Sequence, residues 1–479
     1  MGHIFNKEIL KPGDIRGIYG TELTAEDYYW FGRTFATYLI TKNGISCIVG
    51  RDGRLSSPEA SQALIKGLVE SGIQVIDLGL VSSPCLYYSV SSLHADGGLM
   101  VTASHNPPAY NGLKFVLQGR NFLEKDIAGL ARTAAEDSCL QLQRQGTVTE
   151  GKREKEAYLS HLLAEADKKT FAGKRIVWDP GNGAALFILK SFLSQMPGDH
   201  YLICDTIDGS FPNHAPDPSK PENLVLLGKT VRGQQANLGV AFDGDADRIA
   251  IVDEDGQPLS GIQLLLLLAG PYLDRHPGYK VQSEVKASRI FLDGIKELGG
   301  IPLLTKVGRV NQQIHMRETD VGLAAETSGH VYFKENNYED DGLFAALEVL
   351  KALQFWHISL SDFRKKYPMP INSGEIRLPM QEKDRKILLD SIRRHADETT
   401  GHLLLVDGIR WDNEKGFFLI RSSNTEPHMT IYAEGKDEVS YIWICKKLIQ
   451  SINATGYDGN VLYGKFGFQF SDHMKPKLT

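Results

Sequence analysis

Three times along this chain a buried strand, a helix and another strand follow one another at the spacing of a parallel crossover. That repetition restricts the fold more than any other feature of the sequence. In the first stretch, residues 45–49 read as a strand. A helix follows with Ser57 as N-cap, Pro58 in its first turn and an apolar stripe of Ala60, Ala63, Leu64, Gly67 and Leu68; strands are then expected at 74–78 and 98–103. The second stretch gives strands at 175–178, 201–204 and 238–242, with helices at 184–194 and 224–232. The third runs from 262 to about 355, with strands at 281–285, 302–306 and 322–325. The recurrence is of pattern, not of residue identity, and it implies largely parallel sheets joined by right-handed crossovers. After Tyr367-Pro368-Met369-Pro370 the grammar changes. A helix at 383–396, two strands joined by the polar turn Asp412-Asn413-Glu414-Lys415-Gly416 and a last helix at 438–451 make an α+β layout. The expected fold is α/β: three similar mixed α/β domains (1–150, 151–257, 258–368) and a smaller α+β C-terminal domain (369–479) that ends in a loosely held tail after Phe468. The 479 residues agree with this count at roughly 150 per domain.

Charge and composition remove several classes of function. Acidic residues outnumber basic ones, 59 to 53, so no global positive field exists to hold nucleic acid or an anionic membrane. The longest apolar run, from Leu264 to Ala269, stops at Gly270-Pro271, far short of the ~20 residues of a membrane span. Cysteines 47, 85, 139, 204 and 445 are odd in number and never form a C-x-x-C pair, which argues against a disulfide framework or a zinc site. The first residues lack the zones of a secretory signal, and Asn6 stands where a myristoylation signal needs Ser or Thr. These readings make the expected protein reduced and cytoplasmic.

Five loops carry chemistry. Thr102-Ala103-Ser104-His105-Asn106-Pro107 follows a strand, where open sheets bind ligands, and offers Ser104 as a nucleophile. The alternative is a Ser that merely caps a turn, and adjacent side chains rarely converge, so a Ser104–His105 hydrolase pair is not expected. Lys114, just downstream, offers an amine. In Asp243-Gly244-Asp245-Ala246-Asp247-Arg248, three carboxylates at alternate positions repel one another unless a cation joins them, and hard oxygen ligands suit Mg²⁺. A calcium-loop reading fails at the sixth position, where Arg248 replaces the required Gly; a solvated acidic turn is the bland alternative. Glu326-Thr327-Ser328-Gly329-His330 can bracket sugar hydroxyls and move protons, although a satisfied loop histidine competes with that reading. Arg421-Ser422-Ser423-Asn424-Thr425 reads as an anion cradle or as a turn between strands. Thr305-Lys306-Val307-Gly308-Arg309 puts two cations at a strand end that could steer an anionic ligand, but so common a composition reads first as a solvated loop.

In this order and spacing the loops resemble the α-D-phosphohexomutase family, nearest to its phosphomannomutase/phosphoglucomutase members, over almost the whole chain. Lys11-Pro12-Gly13-Asp14-Ile15-Arg16-Gly17, Phe211-Pro212-Asn213-His214 and Glu284-Val285-Lys286 also look like family segments. The resemblance implies four domains around a central cleft. It implies Ser104 carried as a phosphoserine and Mg²⁺ on Asp243, Asp245, Asp247 and a phosphoserine oxygen. Arg16, Lys114, Arg248, Lys286 and His330 would line the reaction centre. Lys306, Gly308, Arg309, Glu326 and Ser328 would meet the sugar, and Arg421, Ser423, Asn424 and Thr425 the phosphate that is not reacting. Relatives preferring mannose phosphate often carry a His where Arg309 stands, which leaves the sugar open.

The implied activity is a phosphohexomutase that interconverts hexose 1-phosphate and hexose 6-phosphate (mannose, glucose or both). It would pass through a hexose 1,6-bisphosphate, and a hinged fourth domain would close over that intermediate. Its partners would be small sugar phosphates, not nucleic acid or membrane, and the enzyme a monomer or homodimer. Alternatives within the family are a phosphoglucosamine mutase or a glucose 1,6-bisphosphate synthase. Outside it stands a metal-dependent sugar phosphatase using the same aspartates, or a sugar-phosphate-binding regulator without catalysis.

Overall fold

A computed structural model describes residues 2–117, 119–395, 400–422 and 428–466. Positions 423–427 of the expected cradle, the last residue of the helix expected at 383–396 and the tail after Phe468 lie outside them.

The three α/β units share one topology. In the second, strands Asp199–Leu202, Arg175–Asp179, Leu238–Phe242 and Ile249–Val252 lie side by side, so by chain position their spatial order is 2-1-3-4. The third repeats this with Ile301–Thr305, Lys280–Glu284, Leu323–Ala325 and Val331–Phe333. The first does so with Gln74–Leu80, Ser46–Arg51, Gly97–Val101 and Tyr110–Val116, adding Thr147–Glu150 at one edge and Asp14–Ile18 at the other. In each unit the first three strands are parallel, and the fourth returns antiparallel to the third. The third-to-fourth connection is therefore the same structural position in all three. It holds Ser104 in the first unit, Asp243 to Arg248 in the second and Glu326 to His330 in the third.

The central strands are apolar on both faces because helices cover both, as Cys47-Ile48-Val49 and the fully buried Leu238–Phe242 illustrate. One continuous core runs through the three units, from Ile48 and Leu78 through Trp178 and Phe242 to Leu266 and Leu347. The run 264–269 belongs to the helix Gly261–Arg275, which continues through Pro271 and is buried on nearly every side. That burial explains an all-round apolar helix without a membrane; among the described residues no single helix is long and apolar enough to cross one. The helix expected to start after Ser57 spans Ser57–Glu70 with Ser56 at its cap. Ser57 is taken up elsewhere, its hydroxyl donating to Asp52 Oδ1 at 2.6 Å.

The C-terminal domain is α+β, with an antiparallel sheet of Ile371–Asn372, His428–Gly435, Gly416–Ser422, Ile409–Asn413 and His402–Leu404 backed by the helices Glu382–His395 and Glu438–Asn453. It has its own core around Trp411, Phe418, Ile431 and Leu448. It meets the third unit where Phe417 and Leu419 pack on Val285.

Candidate active site

Ser104 and the aspartate loop come from different domains and meet. Ser104, 2% exposed, sits at φ +50°, a left-handed conformation uncommon for a residue with a side chain. Its amide donates to Thr102 Oγ1 at 2.8 Å, and its hydroxyl donates to Asp243 Oδ2 at 2.7 Å. A Cβ on Gly244 would come within 2.5 Å of the Ser104 carbonyl oxygen, so only glycine lets the two loops approach this closely. Ser83 reinforces the junction: its amide donates to the Asp245 carbonyl at 2.9 Å and its hydroxyl to Asp245 Oδ2 at 2.5 Å. Contrary to the expectation that adjacent side chains diverge, the twisted backbone brings His105 Nδ1 to 3.2 Å from Ser104 Oγ. Burial, then Arg248 and Arg16, hold the His105 pKa well below its ordinary value, so the ring is neutral.

The serine loop is shaped by a buried arginine. Arg54, 1% exposed, donates from Nη1 to the carbonyls of Pro107 and Tyr110 and from Nη2 to those of Ser104 and Asn106. Its Nε donates to Asp52 Oδ2 at 3.1 Å, and the same oxygen accepts from Thr102 Oγ1 at 2.7 Å. Four carbonyls gathered by one guanidinium fix a turn that backbone preference alone would not hold. Arg54→Met would remove the guanidinium's hydrogen bonds from those four carbonyls and leave the buried Asp52 carboxylate without its counter-charge. The variant is expected to lose about 3–5 kcal/mol of stability, read by urea unfolding, together with its activity.

The acidic loop is a six-residue connection between Leu238–Phe242 and Ile249–Val252, turned at Ala246 (φ +63°). All three carboxylates are buried, with ligand oxygens within 4.8 Å of one another. Asp245 Oδ1 and Asp247 Oδ1 have no hydrogen-bond partner. Burial, then the charges of Asp245 and Asp247, push the Asp243 carboxyl well above its usual range. Orphaned anionic oxygens and a carboxyl driven toward protonation are what a set of hard ligands without its cation should display, so these residues fit a divalent metal. The nearest protein cation is Lys114, whose ammonium donates to Asp245 Oδ2 at 2.6 Å and Asp247 Oδ2 at 2.5 Å. Burial would lower its pKa, but Asp245 and Asp247 outweigh that and keep it charged.

Around this centre lie most of the other expected residues. Arg248 Nε donates to His330 Nε2 at 2.9 Å, which leaves the ring proton on Nδ1, 2.7 Å from Asp340 Oδ2. Arg16 is anchored by Asn106 Oδ1 at 2.9 Å and Asp14 Oδ2 at 2.8 Å. Glu326 accepts from the Tyr332 hydroxyl at 2.6 Å. One hollow of about 810 Å³ is lined by Arg16, His105, Lys114, Gly308, Arg309 and Arg421. A second, of about 820 Å³, is lined by Lys286, Ser328 and Tyr432. Lys306 is exposed and lines neither. Arg309 faces its hollow with its charge already met by Asp340 (2.7 Å) and Glu339 (2.5 Å), its plane 4.3 Å from the Tyr87 ring. Arg421 pairs with Asp407 at 3.2 Å; Ser423, Asn424 and Thr425 lie outside the described residues.

Asp52, Arg54, Ser83 and Asp340 escaped the sequence reading. Asp52, Arg54 and Ser83 work through partners 50 to 162 positions away, and Asp340 through Arg309, 31 positions away, separations that local spacing does not encode. The clearest available signal was the charged pair Asp52-Gly53-Arg54 directly after an apolar strand. All five cysteines are free. Cys204 does lie 3.8 Å from His214, but both nitrogens of that ring are already engaged, by Asp179 and the Ala215 carbonyl.

The comparisons with known proteins agree with this geometry. The domain profiles of the phosphoglucomutase/phosphomannomutase family match in order: α/β/α domain I at residues 7–139, domain II at 156–256, domain III at 260–369 and the C-terminal domain at 375–441. A Pseudomonas aeruginosa phosphomannomutase/phosphoglucomutase is 35% identical over 433 residues, 90% of this chain and 92% of its own length. A Neisseria gonorrhoeae phosphoglucomutase is 36% identical over 438 residues, 91% of this chain and 94% of its own. The crystal structure of a phosphoglucomutase/phosphomannomutase family protein from Burkholderia thailandensis superposes with a TM-score of 0.88 at 31% identity, covering 95% of this chain and 98% of that one. A phosphotransfer isomerase is the class that this fold and site define. The chain belongs to the phosphoglucomutase/phosphomannomutase family and is a hexose-phosphate mutase.

Proposed function

We propose that the enzyme interconverts the 1- and 6-phosphates of glucose, mannose or both, with Ser104 carrying the phosphoryl group between them. The observation that carries this reading is the bond from Ser104 Oγ to Asp243 across two domains, which joins a hydroxyl to a set of metal-fitting carboxylates. The Oγ–P bond of phosphoserine would break as a bond forms to the free sugar hydroxyl, giving a hexose 1,6-bisphosphate. The bisphosphate would turn around and return its other phosphoryl group to Ser104. Asp243, Asp245, Asp247 and a phosphoserine oxygen would hold Mg²⁺, which when bound neutralises charge on the phosphoryl oxygens. Lys114 and Arg248 add fixed positive charge. The lone pair of His330 Nε2 would take the sugar hydroxyl's proton once Arg248 turns to phosphate, and the Asp340 carboxylate, 2.7 Å from Nδ1, would stabilise the charged ring that results. Arg16, Lys286, Gly308, Glu326 and Ser328 would bind the sugar phosphate, and Arg309, with its charge met, would shape the pocket wall.

Arg421, with Ser423, Asn424 and Thr425, would grip whichever phosphate is not reacting. The sugar binds in two opposed poses, so this cradle must read phosphate and not one hydroxyl. Five free thiols favour a reducing compartment, the cytoplasm in this reading, and the active unit would be a monomer or homodimer.

A coupled assay offering glucose, mannose and glucosamine 1-phosphates with a trace of bisphosphate tests this directly. Isomeric 6-phosphate from glucose or mannose is expected. Inorganic phosphate as the main product would mean a phosphatase, and turnover of glucosamine phosphate alone would move the substrate. In the same assay, Arg421→Ala should raise KM for glucose and mannose phosphates alike by roughly 10- to 100-fold, the worth of a charge-assisted hydrogen bond, with kcat little changed. An effect on one sugar only would end the shared-cradle idea.

A further inference from the structure

The segment that carries Lys286 is held from another domain. Val285, Lys286 and Ala287 lie between the strand Lys280–Glu284 and the helix Arg289–Glu297 of the third unit. The carbonyls on either side of Lys286, those of Val285 and Ala287, both accept from Arg410 Nη1 at 2.7 Å. Arg410 belongs to the C-terminal domain, on the strand Ile409–Asn413, and is fully buried. Its Nε and Nη2 donate to Asp412 Oδ2 at 3.1 and 2.8 Å, and its plane lies 3.5 Å over the Phe417 ring. With the fork fixed on both flanks, its aim at the two carbonyls is set by the sheet. Glu434 of the same sheet closes the other end of the segment. It accepts from the Ser288 hydroxyl at 3.0 Å and from the Arg289 amide at 2.8 Å, capping the following helix.

The same sheet holds Arg421. In the ladder next to Arg410, that residue faces Leu419, two positions before Arg421 on Gly416–Ser422. A phosphate drawn to Arg421 and the presentation of Lys286 are thus mechanically joined through about three residues of paired strand. Lys286 itself is loosely held, its ammonium 3.9 Å from both Glu284 and Glu375, so its backbone decides where it reaches.

We infer that Arg410 is a positioning residue for the mutase reaction: it fixes the backbone of Lys286, so that seating the C-terminal domain on its phosphate also sets Lys286 against the sugar phosphate. This rests on the reading of Lys286 as a substrate-binding residue.

The test is a double-mutant cycle on kcat/KM with Arg410→Lys, Lys286→Met and the double variant, with thermal unfolding measured alongside. Lysine keeps the charge but cannot span two carbonyls and Asp412 together. Arg410→Lys alone should lower kcat/KM by about 10- to 100-fold, the scale of a small misplacement in a reaction centre. In the Lys286→Met background the same change should cost no more than about twofold, because the group it positions is gone. If Arg410→Lys fails to fold, Glu434→Gln, which loosens the other end of the segment, should display the same non-additivity. Independent, multiplying losses would overturn the inference while leaving Lys286 as a ligand, as would wild-type kcat/KM in Arg410→Lys. Wild-type activity in Lys286→Met would instead remove the underlying reading, and the inference with it.

Discussion

Replacing Ser104 with alanine should reduce kcat by at least ~10⁴-fold while the protein stays folded, because the hydroxyl that meets Asp243 from the strand-end loop of the first unit is removed. The structural cost is small. Asp243 loses one hydrogen bond, worth about 1 kcal/mol, and keeps the one from the Arg248 amide at 3.2 Å. Circular dichroism and the unfolding midpoint should therefore stay near the wild-type values while the coupled assay reads zero. If alanine turned over substrate at a wild-type rate, Ser104 would not be the carrier, and His105, 3.2 Å from that hydroxyl, would be the next group to examine.

Asp243→Asn should do two opposite things. Activity and metal dependence should both collapse, since one hard ligand is lost. In the absence of metal the variant should nevertheless be more stable than the wild type, by about 1–3 kcal/mol at neutral pH. The sign follows from the raised carboxyl. Below the unfolded-state pKa, near 4, Asp243 is protonated in both states and contributes no difference. As pH rises, the unfolded chain ionises first, while burial and the charges of Asp245 and Asp247 resist ionisation in the folded state, so the wild type loses stability that asparagine retains. The advantage of asparagine should therefore grow upward from about pH 4, and saturating Mg²⁺ should erase it by stabilising the wild type. A metal-free variant no more stable than the wild type at pH 7 would mean that the three carboxylates are not held against their own repulsion.

Much of the framework was legible because it is local. The strand Leu238–Phe242 falls on the residues its apolar run marks. The site's hydroxyl and its three carboxylates were also readable, since gathering like charges beside an apolar strand demands a reason. Groups that hold the loops in shape were not readable. Arg54 and Arg410 look in sequence like ordinary surface arginines near a turn or on a strand, yet both are buried and each collects carbonyls from a distant segment. Ser57 was misassigned as a cap because its true partner, Asp52, outcompetes the helix amides, a preference that propensity does not contain. His105 converges on Ser104 through a left-handed backbone that residue type does not announce.

The equivalent connection that recurs in three sheets has an evolutionary corollary. If one ancestral α/β module was copied twice, each copy inherited a ready-made protrusion facing the same way, and specialisation needed only side-chain replacement on a scaffold already in place: an alcohol in one, a trio of acids in the next, a glutamate and an imidazole in the last. Such a history makes the protrusions the tolerant part of each module in composition and the intolerant part in length. A one-residue insertion in any of the three should be far more damaging than most substitutions there, because it would swing that copy's groups away from the point on which the other two still converge.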